Sequence, residues 1–389
     1  MFILEEPYVS ELLATTVAEM GLPVLDTSMA RRRLSGDATA LLASDDEFAA
    51  AASQQGARVY SNSENAIGWI GDHLGATDLP RTIERFKDKV AFREMVADLY
   101  PDYRFHGLAL DELRTFDPTQ MGVPFIVKPA VGFFSMGVHV VESPEDWPGV
   151  VERIEREVGQ FASVYPDRVL GLDRFVVEQI IDGEEFAVDA YYDAAGVPVL
   201  VNVYAHLFAS ARDVSDRVYY TNIETVRRLG PPAMQFLAEV GQRSGARDFP
   251  VHAELRIDSE GNVRPIEINP MRFGGWCATD LAHFAYGVNP YHCYLQGECP
   301  DWDRIAREGN GRTTALIVAD LPPTVNLAGI ESVDYERFAT RFSRILELRP
   351  TDYNRYPVFA FTFVDVPSDD LAELNGVLGA DLSGYVRMR

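Results

Sequence analysis

The chain has 389 residues, too many for one ordinary core, so two or three packed units are expected. A hydrophobic content of 47% is normal for a globular protein, and there is no apolar run of about 18 residues that would span a membrane. A formal net charge of −24 disfavours nonspecific nucleic-acid binding and docking on anionic membranes, because both need cationic surface.

The start, MFILEEPYVSEL, lacks the basic, apolar, small-residue order of a secretion signal and reads as a first buried strand. Residues 2–4 and 22–25 are expected as short strands around the helix ELLATTVAEM, stopped by Gly21. A strand at ALLAS and a helix in SENAIGWIGDHL complete a small α/β unit to about residue 80. Thr82 to Tyr100 has helical spacing. Strands follow at VPFIVKPA and GVHVVES, then a helix over EDWPGVVERIEREVGQF and a strand at RFVVEQII. Next come strands FAVDAYY and VPVLVNVYAHLF, a polar loop at 210–220, and a helix around 232–244. Strands VHAELRI and VRPIEIN flank the turn SEGN. After about residue 310 come strands TTALIVADL and YPVFAFTFVDV with intervening helices.

The three cysteines, Cys277, Cys293 and Cys299, lack CxxC spacing, which argues against a disulfide framework and a zinc site. Buried inert thiols in a reducing cytoplasm are the expectation. Lysine is equally scarce. Only Lys87, Lys89 and Lys128 occur among 35 basic residues, so the other 32 are arginine. A lysine that persists under such pressure marks a place where a compact ammonium fits and a planar guanidinium does not. Lys128, inside an apolar strand, is the clearest case; Lys87 reads more simply as a survivor at a solvated position.

In VKPAVGFFSMGVHVV, Gly132 and Gly137 bracket Phe133, Phe134, Ser135 and Met136. Glycines let backbone amides turn toward an anion. This is not a Walker loop, because Val138 follows the second glycine where that motif has lysine. The competing reading is an ordinary hairpin turn with a snorkelling lysine.

Glu267 and Asn269 are two residues apart and share a strand face. A symmetric turn pairing Asp258 with Val263 puts Glu254 opposite Glu267. Two like charges facing one another are unfavourable unless a cation lies between them, and carboxylate and amide oxygens suit magnesium. His252 shares that face, as a packed histidine or a substrate contact. The HxE spacing also occurs in zinc deaminases, but the downstream PCxxC is missing.

Taken together, residues 85–300 resemble the ATP-grasp superfamily. A lysine near a helix start, VKP with a glycine loop, VEQIIDGEEF, an acidic strand and EIN occur in that order. The resemblance implies an α/β (α+β) ATP-grasp fold with a small N-terminal α/β domain and a C-terminal α/β extension. The expected boundaries are 1–84, 85–182, 183–310 and 311–389. It implies ATP and Mg2+ as cofactors, with Mn2+ as a second candidate metal. Lys89 and Lys128 would touch ATP phosphates, and the segment from Gly132 through Ser135 and Met136 to Gly137 would cover the β- and γ-phosphates. Glu178 would accept the adenine amino group, Gln179 and Ile181 would line the adenine edge, and Glu185 would hold the ribose. Glu254, Glu267 and Asn269 match the magnesium ligands.

EINPMRFGGW resembles carboxylate–amine ligases, especially those that join amino acids into dipeptides. Arg272 matches an arginine that contacts phosphate and substrate carboxylate, with one extra residue between glutamate and arginine here. The D-alanine ligases carry an arginine near the position of His252, so that activity is not expected. The implied reaction activates a carboxylate as an acyl phosphate for attack by an amine, with Arg272 and Lys128 neutralising charge. Arg217, with Arg212 and Tyr219, is expected on a loop that is either a lid over the substrate or an ordinary solvated loop. The substrates would be a small-molecule carboxylate and an amine, with no nucleic-acid or membrane partner; the C-terminal unit would cap the amine site or mediate a homodimer. A phosphotransferase and a non-catalytic nucleotide-binding protein are the competing functions.

Overall fold

The computed structural model describes residues 1–132, 137–161, 171–208, 216–309 and 311–389. They fall into two compact units. The first comprises Met1–Glu184, Ala190–Val199 and Met234–Cys277, and the second Glu185–Asp189, Leu200–Ala233 and Ala278–Arg389.

The first unit begins with a parallel sheet in the order Leu42–Ala43, Val24–Leu25, Phe2–Ile3, Tyr60–Ser61. Helix Glu11–Met20 starts where the Ser10 side chain accepts from the Leu13 N–H, and ends at Gly21 in the left-handed region. The two-residue strand Tyr60–Ser61 is not legible in the sequence. It leads into the segment 61–65, which is tightly tied down. The Asn62 side chain accepts from the Glu5 N–H and donates to the carbonyls of Glu5 and Tyr8. Asn65 donates to the Glu6 carbonyl.

The helical stretch expected from Thr82 to Tyr100 is two helices, Leu79–Lys87 and Lys89–Met95. Asp88 is extended between them, and its carboxylate accepts from the Val90 and Ala91 N–H groups. An aspartate cap therefore starts a new helix inside continuous helical spacing.

An antiparallel sheet follows in the order Phe105–Ala109, Gly171–Gln179, Phe125–Val131, His139–Val141. Its period-two alternation separates two faces. Phe125, Val127, Phe175 and Val177 pack with Trp147, Val150 and Ile154 of the helix Trp147–Phe161. Lys128, Val176 and Glu178 lie on the opposite face, because Lys128 pairs with Val176 and Ile126 with Glu178. The unit is completed by the hairpin Phe249–Ile257 and Val263–Pro270.

In the second unit, five antiparallel strands run in the order Pro198–Leu207, Val218–Thr221, Arg312–Asp320, Val358–Pro367, Ile345–Pro350. Val218, Ile317, Phe338, Phe359, Val364 and Leu374 form its core. The stretch between the two expected C-terminal strands contains strands Ile330–Val333 and Ile345–Pro350 as well as a helix. Helix Ile223–Ser244 begins earlier than expected and carries Pro231 and Pro232 inside it. The cysteine expectation holds for two of three: Cys277 and Cys293 are buried, whereas Cys299 is exposed.

Candidate active site

Lys128 and Glu178 are diagonal neighbours on one sheet face, and the Lys128 ammonium lies 2.7 Å from a Glu178 carboxylate oxygen. Arg93, one turn into the helix Lys89–Met95, grips the same carboxylate with Nε at 2.6 Å and Nη2 at 3.3 Å. All three are buried. Burial alone would raise the Glu178 pKa, but Arg93 and Lys128 together pull it down to about 2. Burial, with Arg93 and Lys89 nearby, pushes Lys128 below the usual lysine range although Glu178 opposes this. The carboxylate assigned by resemblance to the adenine amino group is thus engaged by two cations, Arg93 and Lys128.

On the hairpin, Glu254 faces Glu267, and His252 faces Asn269. The route to this register differs from the symmetric turn. Ile257, not Asp258, pairs with Val263, and a bulge between Glu254 and Leu255 leaves Ile266 as one extra residue that restores the expected pairing at Glu254. The bulged Ile266 carbonyl accepts from Arg93 at 3.0 Å. The Asn269 amide donates to Glu254 and to Glu267, each at 3.2 Å, so three oxygen-bearing side chains converge. Lys89 lies 3.0 Å from Glu267. Burial would raise Glu267, but Lys89, Lys128 and Lys87 outweigh it and hold the carboxylate well below its usual range. His252 is buried, with Nε2 at 3.9 Å from Glu254.

The third lysine joins the same cluster. Lys87 is buried, bonds to the Glu64 carboxylate and donates to the Gly132 carbonyl at 3.1 Å. The expectation of a solvated survivor is wrong. Glu64 also takes Arg272, through Nη2 at 2.9 Å and Nε at 3.2 Å. Arg272 is aimed by an unusual turn: Met271 has φ 67, donates its N–H to the Pro250 carbonyl and accepts from the Ser61 N–H. Glu64 was absent from the sequence reading. Its signal was SENA directly after a strand, with no periodicity to mark it.

The remaining assigned residues lie as follows. At Gly137, φ is 70, and a Cβ would stand 3.0 Å from the Pro129 ring, so the position needs glycine. Ser135 and Met136, with Phe133 and Phe134, lie outside the described residues, as does Arg212. The Gln179 carbonyl accepts from the Tyr103 hydroxyl at 2.8 Å and its N–H donates to the Arg104 carbonyl at 3.1 Å. Its side chain accepts from the Arg104 N–H. The Ile181 carbonyl accepts from Arg256. Glu185 is on the strand Glu184–Tyr192. Arg217 is not a lid residue. Its Nε bonds Asp320 at 2.7 Å, and its Nη1 donates to the carbonyls of Val377, Leu378 and Ala380 at 3.1, 3.0 and 2.5 Å. Tyr219, expected beside it on the lid, belongs to the strand Val218–Thr221.

A sheet presenting a buried lysine and a hairpin presenting paired carboxylates define, within the first unit, a site of the kind that binds a polyanion with a hard cation. Residues 121–280 match the family model described as ATP-grasp domain. Solved structures extend the same fold over the whole chain. L-amino acid ligase from Bacillus licheniformis is 16% identical with a TM-score of 0.64, covering 100% of this chain and 98% of that one. Carboxyaminoimidazole ribonucleotide synthase from Aspergillus clavatus, complexed with ATP, is 13% identical with a TM-score of 0.63, covering 99% and 98%. Phosphoribosylglycinamide synthetase from Anaerococcus prevotii is 12% identical with a TM-score of 0.58, covering 100% and 98%. No curated protein matches the chain by sequence. No helix among the described residues is long and apolar enough to cross a membrane.

Proposed function

We propose that the chain is an ATP- and magnesium-dependent ligase that activates a carboxylate as an acyl phosphate and couples it to an amine, releasing ADP and phosphate. The observation that carries the reading is the converging set Glu254, Glu267 and Asn269, with Lys89 alongside. Among the described residues, no group of three His, Cys, Asp or Glu side chains is placed to hold a metal ion; the proposed donor set is two carboxylates and an amide. Hard oxygens of this number fit magnesium, which takes its remaining ligands from water and substrate phosphate. Magnesium held there would neutralise charge on the phosphates in transfer.

The chain's own residues supply the rest. Lys89 and Lys128 offer ammonium groups to phosphate oxygens. Glu178 and Arg93 keep Lys128 oriented, which lowers the cost of ordering it when ATP arrives. Arg272, clamped by Glu64, presents a guanidinium able to pair with a carboxylate or phosphate in two-point fashion. Amino acids or small peptides are the proposed substrates, on the strength of the likeness to the L-amino acid ligase.

The test is a metabolite screen read by mass spectrometry, supplying ATP, magnesium and pairs of amino acids, with Glu267→Gln as the inactive control. ADP, phosphate and an amide-linked product support the reading. A stable phosphorylated compound without an amide would instead indicate a phosphotransferase. ATP binding without turnover across the screen would indicate a regulatory nucleotide-binding protein.

A further inference from the structure

Lys87 is absent from the mechanism above, yet it is one of only three lysines in the chain and it is as buried as Lys128. Two contacts explain why arginine has not replaced it. Its ammonium meets the Glu64 carboxylate and, at 3.1 Å, the Gly132 carbonyl. One compact nitrogen with three freely oriented donors serves both acceptors; a bulkier planar guanidinium, with its donors fixed in one plane, does not match them in the same space. Glu64 in turn holds Arg272 at 2.9 and 3.2 Å. The segment carrying Glu64 is fixed by the Asn62 bonds to Glu5 and Tyr8, and Ser61 donates to the Met271 carbonyl in the turn that aims Arg272. A line of contacts thus runs from Arg272 through Glu64 and Lys87 to the strand end beyond Lys128.

We propose that Lys87 is a positioning residue for the terminal phosphates of the nucleotide, acting through Glu64 on Arg272 and directly on the Gly132 carbonyl. This rests on the functional reading above. Lys87 itself is consumed by its two partners and touches no phosphate. Its removal frees Glu64 to draw Arg272 closer and releases the Gly132 end, while the base and sugar contacts stay as they are.

The experiment is calorimetric titration of the full-length protein with ATP and with AMP, both with magnesium. Wild type is compared with Lys87→Met, Lys87→Arg and Glu64→Asp. ATP affinity falls about tenfold or more in Lys87→Met and Lys87→Arg, and AMP affinity stays within about twofold, since AMP lacks the terminal phosphates. Glu64→Asp, which keeps the charge and shortens the reach, loses less for ATP and nothing for AMP. Equal loss of ATP and AMP would reduce Lys87 to a structural ion pair and overturn the proposal. So would a Lys87→Arg variant that binds ATP as tightly as wild type. Should Lys87→Met fail to fold, Lys87→Arg and Glu64→Asp decide by the same comparison. A wild type that binds neither nucleotide would overturn the functional reading, and this proposal with it.

Discussion

Glu254 stands directly opposite Glu267 across an antiparallel hairpin, and the Asn269 amide bonds both carboxylates at 3.2 Å. Like charges directly opposite one another are destabilising in the metal-free chain. Glu254→Gln is therefore expected to be at least as stable as wild type in urea denaturation without metal, while ATP-dependent turnover is lost. A destabilised variant would show that Glu254 serves the fold rather than a cation.

In the Lys128–Glu178–Arg93 cluster one buried carboxylate is held between two cations. Glu178→Gln leaves two buried cations with a neutral partner and is expected to cost roughly 3 kcal/mol by chemical denaturation. The pH dependence has a definite sign. The native Glu178 pKa, about 2, lies below its ordinary value of 4.5. Its contribution to stability is complete above about pH 4.5 and is lost as pH falls toward 2. Glu178→Gln is expected to lack that part of the acid transition.

Arg217 is bound within the second unit. Its guanidinium satisfies three main-chain carbonyls and Asp320 within one unit. Arg217→Ala is expected to lower stability by about 2 kcal/mol, since buried acceptors lose their donor. ATP affinity measured by calorimetry is expected to stay at the wild-type value. A selective loss of substrate affinity at unchanged stability would restore the lid role.

The thiols make a third class of prediction. Burial, helped by Glu298 and Cys299, pushes the Cys293 thiol up to about 12, and Cys277 is buried as well. Cys299 is exposed. In a thiol titration of the native protein at pH 8, Cys299 is expected to react rapidly and the other two only on unfolding. Fast reaction of two or more thiols would contradict the burial.

The paired carboxylates were legible because strand alternation and a short turn fix which residues face each other. The bulge at Ile266 and the offset at the turn cancel at Glu254, so a simple register reached the right pair by a path the chain does not follow. Lys128 was legible from an ammonium set in an apolar strand. Lys87 was not, because its partner Glu64 is 23 residues away in a polar segment without periodicity. The grip of Arg93 on Glu178 was not legible, because Arg93, 85 residues earlier, sits on a helix whose spacing gives no sign of what it contacts. Arg217 was misread for a plainer reason. Its partners are mostly main-chain carbonyls, and a carbonyl leaves no trace in residue identity.

The central claim is that a carboxylate oxygen of the substrate attacks ATP and departs on phosphate when the amine adds. The direct measurement supplies a mixture of amino acids labelled with 18O in their carboxylates, together with ATP and magnesium, and reads the released phosphate by mass spectrometry. Acyl-phosphate chemistry predicts one 18O atom transferred into each phosphate formed, with the label absent when Glu267→Gln replaces the wild type. ATP consumption that releases only unlabelled phosphate would contradict it.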